Sequence, residues 1–293
     1  DHIVVGYGNN HDDLPSLNGS QLPFVATRPD TTVTLHLTAD VGTNGIGLPL
    51  VVRLQEGETY QLRATNNGRA DLTGTRVIAD KPIGLFAGHQ CATVPSSNVF
   101  FCNYVAEQVL PLPALGTNFY AVPFLGRSNY TIRCAVPQDG TLITVGGISA
   151  GLFNRGAFLE IQRTTAVPIL STRPIAVAQF GHSSDDDGKV AADPTMITLI
   201  SRERWVTNVL ADSLQGFTNH FNIVVQDAAG VFVAIDGVQI PLGSPAGGVR
   251  FGQIAVRPGY HKLTSSQPAR ILCELNTRAR SGIRLVFGLD STE

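Results

Sequence analysis

Charged side chains are scarce in this chain. They make up 15% of its 293 residues, and the two signs nearly cancel at a net charge of −2. Such a balance gives no electrostatic drive toward nucleic acid or an anionic membrane. No apolar run approaches the roughly 20 residues that span a bilayer, so membrane insertion through a helix is not expected. Sustained helical periodicity is missing as well. The best stretch, 200–214, is rich in β-branched residues, which argue against a helix. The phosphate cradles G-x-x-x-x-G-K-[ST] and G-x-G-x-x-G do not occur in the required strand-to-helix setting. Gly181-His182-Ser183-Ser184-Asp185 matches part of a nucleophile elbow but lacks its last glycine. The seven histidines are scattered, with no pair at zinc-ligand spacing. No enzyme, no catalytic residue and no cofactor is therefore expected. There is no signal-peptide pattern and the chain opens at Asp1, as expected of a processed form or a portion excised from a larger parent.

What the chain does have is apolar and β-prone. Hydrophobic residues reach 43%, mostly Val, Ile, Leu and Phe, with 30 Gly and 17 Pro to punctuate them. That is enough to build cores, and it favours strands and turns over helices. The length suits two or three domains. The cysteines number four, an even count that fits two disulfides in an oxidising compartment. Four cysteines allow three connectivities. Cys91 with Cys102 and Cys134 with Cys273 is the preferred set, the second pair requiring two distant strands to touch. Asn18 and Asn129 head sequons, so glycosylation in a secreted chain is possible at both.

The chain is organised around a recurring stretch. A short apolar strand, a polar step, a proline and a second apolar strand occur around Pro82, Pro174 and Pro268, spaced 92 and 94 residues apart. Upstream of each proline lies a second echo, strand–tight turn–strand, beginning at Phe24, Ile132 and Phe221. Two motifs repeating three times in the same order indicate internal repetition. The expected fold is all-β, three tandem pseudo-repeats of antiparallel β-sandwich-like units, with boundaries at 1–105, 106–190 and 191–293. Units stacked in a line and units packed about a pseudo-threefold axis are both compatible with this pattern.

Candidate contact residues follow from chemistry and position. The loop from Cys91 to Cys102 carries Val99, Phe100 and Phe101, which either fold back into a core or stand out as an apolar contact. Arg202 and Arg204 flank Trp205, a combination common at interface hot spots and equally at home packed against a core. Asp185, Asp186, Asp187 and Asp193 cluster in one loop, offering oxygens to Ca²⁺ but matching no EF-hand; a solvated loop is the plainer reading. At the two ends, strands holding Ile3, Val4 and Val5 and Ile283, Leu285 and Phe287 are candidates to complete a neighbour's sheet.

The run from Asp71 to Cys91 is followed by a loop, a second Cys and then EQVLPLPALGTNFYAVPF. Asp80-Lys81-Pro82-Ile83, Gly88, Leu112-Pro113 and Gly116-Thr117-Asn118-Phe119-Tyr120 carry its pattern, with Ala192-Asp193-Pro194 and the opening HIVVGYGNN in support. This order resembles the IgGFc-binding protein N-terminal domain family over essentially the whole chain. The resemblance implies a secreted or surface-attached, non-catalytic β module. The Cys-rich von Willebrand-type segments of such glycoproteins are not in this sequence. The expected function is adhesion or binding through surface loops and strand edges, with a protein or glycan as ligand. The alternative is a self-assembling subunit of an extracellular fibre or matrix.

Overall fold

The computed structural model describes residues 1–8, 15–65, 70–188, 193–276 and 281–285, with side chains for all of these except 15, 273–276 and 281–285. The first eight strands are β1 (His2–Ile3), β2 (Gln21–Ala26), β3 (Thr31–His36), β4 (Leu50–Leu54), β5 (Thr59–Arg63), β6 (Arg76–Ala79), β7 (Ile83–Ala92) and β8 (Asn103–Gln108). Seven more follow: β9 (Gly116–Ala121), β10 (Tyr130–Ala135), β11 (Thr141–Val145), β12 (Ile148–Phe153), β13 (Phe158–Arg163), β14 (Val167–Gly181) and β15 (Thr195–Thr198). The last seven are β16 (Val206–Ser213), β17 (Thr218–Gln226), β18 (Val233–Ile235), β19 (Val238–Gln239), β20 (Val249–Val256), β21 (Gly259–Asn276) and β22 (Ser281–Leu285). Among the described residues the one α-helix is a single turn, α1 (Ser184–Asp187). The molecule is all-β, and every ladder is antiparallel.

Strand pairing follows one plan in each third of the chain. A long strand passes through two of the prolines, β14 through Pro174 and β21 through Pro268, while in the first unit β6 and β7 lie on either side of a step that contains Pro82. Ahead of the proline the strand pairs with β1, β9 or β16 on one side and β3, β11 or β18 on the other. Beyond the proline it pairs with β2, β10 or β17 and with β8, β15 or β22. Registers agree as well. Val77, Ile169 and Leu263, each five residues before its proline, face Leu35, Val145 and Ile235. Leu85, Val177 and Ile271, each three residues after it, face Phe24, Cys134 and Ile223. The proline stands where the strand leaves one sheet for the other, a place where its missing N–H costs no ladder bond.

Side-chain alternation builds the cores. In β2 and β3 every second residue is buried, and Leu22, Phe24, Val33 and Leu35 meet between the two sheets of the first unit. Ile132, Ile143, Ile169 and Val177 do the same in the second unit, and Ile223, Val233, Leu263 and Ile271 in the third. Two further clusters join the units. Ile3, Val5, Tyr7 and Val94 of the first pack on Ala135, Ala176 and Phe180 of the second. Tyr120 and Val122 of the second pack on Val224 and Val249 of the third, with Trp205 between them.

The structure corrects several expectations. Cys134 carries a free thiol, sealed in the second core, where burial pushes its pKa up to about 12. It lies in β10, and its ladder partner is Val177, not a residue of the third unit. The side chain of Cys273 is outside the described residues. Ile3, Val4 and Val5 are not free to enter a neighbour's sheet, because β1 is paired with β6 and all three side chains are buried. Ile283 and Leu285 lie in β22, already paired with β21, and Phe287 lies outside the described residues. Asn18 is buried, so a glycan there would have no route to solvent.

Candidate functional site

The segment between β7 and β8 is pinned at its base. Cys91 and Cys102 form a disulfide with their Cα atoms 4.9 Å apart. The Tyr7 hydroxyl donates to the carbonyl of Pro95 at 2.7 Å. The amide of Ser183 donates to the carbonyl of Val94 at 2.7 Å, and the amide of Val94 donates to Ser183 Oγ at 3.1 Å. Asn103 Nδ2 reaches the carbonyl of Pro194 at 3.2 Å. The disulfide loop of the first unit and the loop after β14 of the second therefore meet and brace each other.

Beyond that base the tip stands in solvent. Val99 is half-buried, but Phe100 and Phe101 are 72% and 63% exposed. Tyr104, at the start of β8, is 63% exposed. Phe101 adopts φ of 68°, in the left-handed region that bulky residues avoid. The tip does not fold back into a core.

The acidic loop is used internally. Asp187 is buried in an ion pair with Arg127, and its Oδ1 accepts from the Ser128 hydroxyl at 2.9 Å and the Asn129 amide at 3.2 Å. Asp186 Oδ2 bonds His182 Nδ1 at 2.6 Å, and His182 Nε2 bonds Thr131 Oγ1 at 2.9 Å. Aspartate–histidine–hydroxyl is the connectivity of a proton relay. Here Thr131 and His182 are both buried, and the chain of hydrogen bonds ties the loop to β10. Asp185 is exposed, and Asp193 is half-buried. No group of three or more potential metal ligands forms among the described residues. Asn129 is half-buried, its Nδ2 within 3.5 Å of Asp186.

Of Arg202, Arg204 and Trp205, the tryptophan is buried, Arg202 is half-buried and only Arg204 is exposed. Trp205 is 7% exposed and donates from Nε1 to the carbonyl of Ile200 at 3.1 Å. Arg202 lies 5.6 Å from the Trp205 ring centre and reaches the carbonyl of Gly248 at 3.1 Å, while Arg204 donates to the carbonyl of Pro113. Arg204, through Pro113, and Trp205, packed with Tyr120 and Val122, fasten the third unit to the second.

The sequence concealed a deeply enclosed charge. Arg133 of β10 is 1% exposed, in a strand buried on both faces. Its Nη1 donates to the carbonyl of Gly6 at 2.6 Å and Asp71 Oδ2 at 2.8 Å; its Nε donates to Glu160 Oε2 at 2.7 Å. The guanidinium also stacks 4.1 Å over Tyr7. Against the cost of burial, the Asp71 and Glu160 carboxylates hold the Arg133 pKa above its ordinary value, and Arg133 with Thr73 holds that of Asp71 below its own. One signal was available: an arginine in the otherwise apolar run Tyr130-Thr-Ile-Arg-Cys-Ala-Val136 cannot point to water from a doubly covered strand.

A model of the IgGFc binding protein family matches residues 1–273. The chain belongs to that family. A relative from Homo sapiens, described as "IgGFc-binding protein", is 27% identical over 230 residues. The match takes in 75% of this chain and 4% of that relative, so the family chain spans a small fraction of the relative's length. Among solved structures, an "anti-sigma factor domain-containing protein" aligns over 72% of this chain and 92% of its own at 12% identity and a TM-score of 0.19, a likeness too slight to carry an argument. No described helix of this family member is long and apolar enough to cross a membrane.

Proposed function

We propose that the chain is a non-enzymatic extracellular module that binds a protein partner through the aromatic tip of its disulfide loop. The observation that carries this reading is the pair Phe100 and Phe101, held out in water at 72% and 63% exposure on a loop fixed by a disulfide and by hydrogen bonds to two units. Aromatic anchors on a rigid support lose little entropy on docking, which makes them effective centres of protein interfaces. The left-handed backbone at Phe101 supports the same reading, because strain of that kind persists where a site uses it. A disulfide between such surface segments suits an oxidising compartment.

The name of the human relative makes the Fc region of immunoglobulin G the first probe. Immobilised Fc should retain the wild-type chain, and Phe100→Ser with Phe101→Ser should weaken that retention by roughly tenfold or more while circular dichroism stays unchanged. No retention of the wild type, or equal retention of the double variant, would count against the proposal.

A further inference from the structure

The two internal junctions are built from corresponding residues, and among the described residues one half of the junction is left unmatched on the first unit and the other half on the third. Ile3, Tyr120 and Leu210 face Arg76, Pro168 and Lys262, each of which lies six residues before its unit's proline. Ile3 and Tyr120 are 0% and 2% exposed because the following unit covers them, whereas Leu210 is 59% exposed. Tyr260, two residues before Lys262, is 77% exposed on the same face, since it pairs with Asp212 as Lys262 pairs with Leu210. The third unit thus shows in water the face by which the first two hold their successors.

The opposite half of the junction is open on the first unit. Ala178 of the second unit, four residues after its proline, is 1% exposed against the first; Phe86, at the same position of the first unit, is 41% exposed. Gln253 pairs with Asn222 and donates to the carbonyl of Pro123 across the junction between the second and third units. Its counterpart in the first unit is Gln61, paired with Pro23 and exposed. Gly156, between β12 and β13, touches the preceding unit at Gly74, and Gly247, between β19 and β20, touches it at Tyr120. The equivalent turn of the first unit, Glu56-Gly57-Glu58, is exposed and its glycine meets nothing. Two acids there can reach the exposed Lys262, which shares the open face of the third unit with Asp212, Leu210 and Tyr260.

We propose that these two faces bind each other between copies, the third unit of one chain docking on the first unit of the next. The internal junctions show what the contact looks like, and the exposed turn Glu56-Gly57-Glu58 of one half stands where Gly156 and Gly247 meet the preceding unit in the built ones. A head-to-tail contact of this kind does not close on itself and extends into a row.

Sedimentation equilibrium of the purified chain tests the proposal. The average mass should rise with concentration past that of a dimer. Leu210→Asp with Tyr260→Asp spoils one face, and Phe86→Asp with Gln61→Arg spoils the other. Each double variant should associate with itself roughly tenfold or more weakly than the wild type. An equimolar mixture of the two should recover dimers and stop there, because one sound face of each kind remains. Fluorescence of Trp205, at the internal junction between the second and third units and off both open faces, reports that each variant is folded. Gln61→Arg and Tyr260→Ser, both at exposed positions, are the milder substitutes should either double variant fail that check. A wild type that stays monomeric, a double variant that still forms rows, or a mixture that stays monomeric would overturn the proposal. Phe100 and Phe101 are untouched in all of these variants, so the outcome is separate from that at the disulfide tip.

Discussion

At the scale of single residues, Arg133 decides how the first two units hold together. Its side chain belongs to the second unit, but Gly6 and Asp71 of the first take two of its hydrogen bonds. Arg133→Met should destabilise the chain by about 3–5 kcal/mol in urea denaturation, because Asp71 is then left as a buried charge without its cation. Adding Asp71→Asn to that variant should restore part of the loss, a sign that the stranded charge, not lost packing, dominates. Glu107 gives a second test, through pH. It lies on β8 beside the junction, and burial raises its pKa from 4.5 to about 8. The unfolded chain therefore releases this proton at lower pH than the folded one. The stability this group confers is complete below about 4.5 and falls away as pH rises to about 8. Glu107→Gln should be near neutral at pH 4 and should raise the melting temperature progressively between those two values. A pH-independent difference would show that Glu107 is solvated.

At the scale of elements, the junctions depend on backbones that come unusually close. Gly74 has φ of 90°, and a Cβ on it would stand 1.9 Å from the carbonyl oxygen of Gly156. Gly74→Ala should cost about 2 kcal/mol or more in thermal denaturation, combining left-handed strain with a clash against backbone that cannot swing aside. The strands themselves were legible in the sequence, since apolar residues alternate in β2, β3 and β11 as a half-buried strand requires. The prolines were legible too, as steps between two apolar runs. Less legible was that Pro174 and Pro268 lie inside single strands of 15 and 18 residues. A proline signals a lost donor, and only the sheet change at that point makes the loss harmless. Phe100 and Phe101 read more readily as core than as contact, because large apolar residues favour burial and the three-residue run 99–101 carries no periodicity to say otherwise. Cys134 misled for a related reason: a cysteine in a strand is the same letter whether it bridges or fills a core.

For the molecule as a whole, the contacts between units were the least legible feature. The partners of Arg133 lie 62 residues upstream and 27 downstream, so no local pattern marks them. Trp205 looks like part of an exposed patch until the second unit, through Tyr120 and Val122, is set against it. The repeated prolines located the units, but which faces meet depends on the docking of sheets that only tertiary structure shows.

The continuity of strand across each proline has a consequence for how the chain reaches this structure. In the second and third units one strand serves both halves of the unit, and in the first β6 and β7 follow each other across a three-residue step, so setting the register on one side of the proline sets it on the other. Each unit should thus be gained or lost as a single cooperative block. In chain order the shared strand comes late, after the hairpins it must hold, so those hairpins wait during synthesis with open edges. The wait ends at residue 92 for the first unit, 181 for the second and 276 for the third. Assembly of this molecule is therefore expected to proceed stepwise from the N-terminus, with each finished unit offering a surface on which the next can settle.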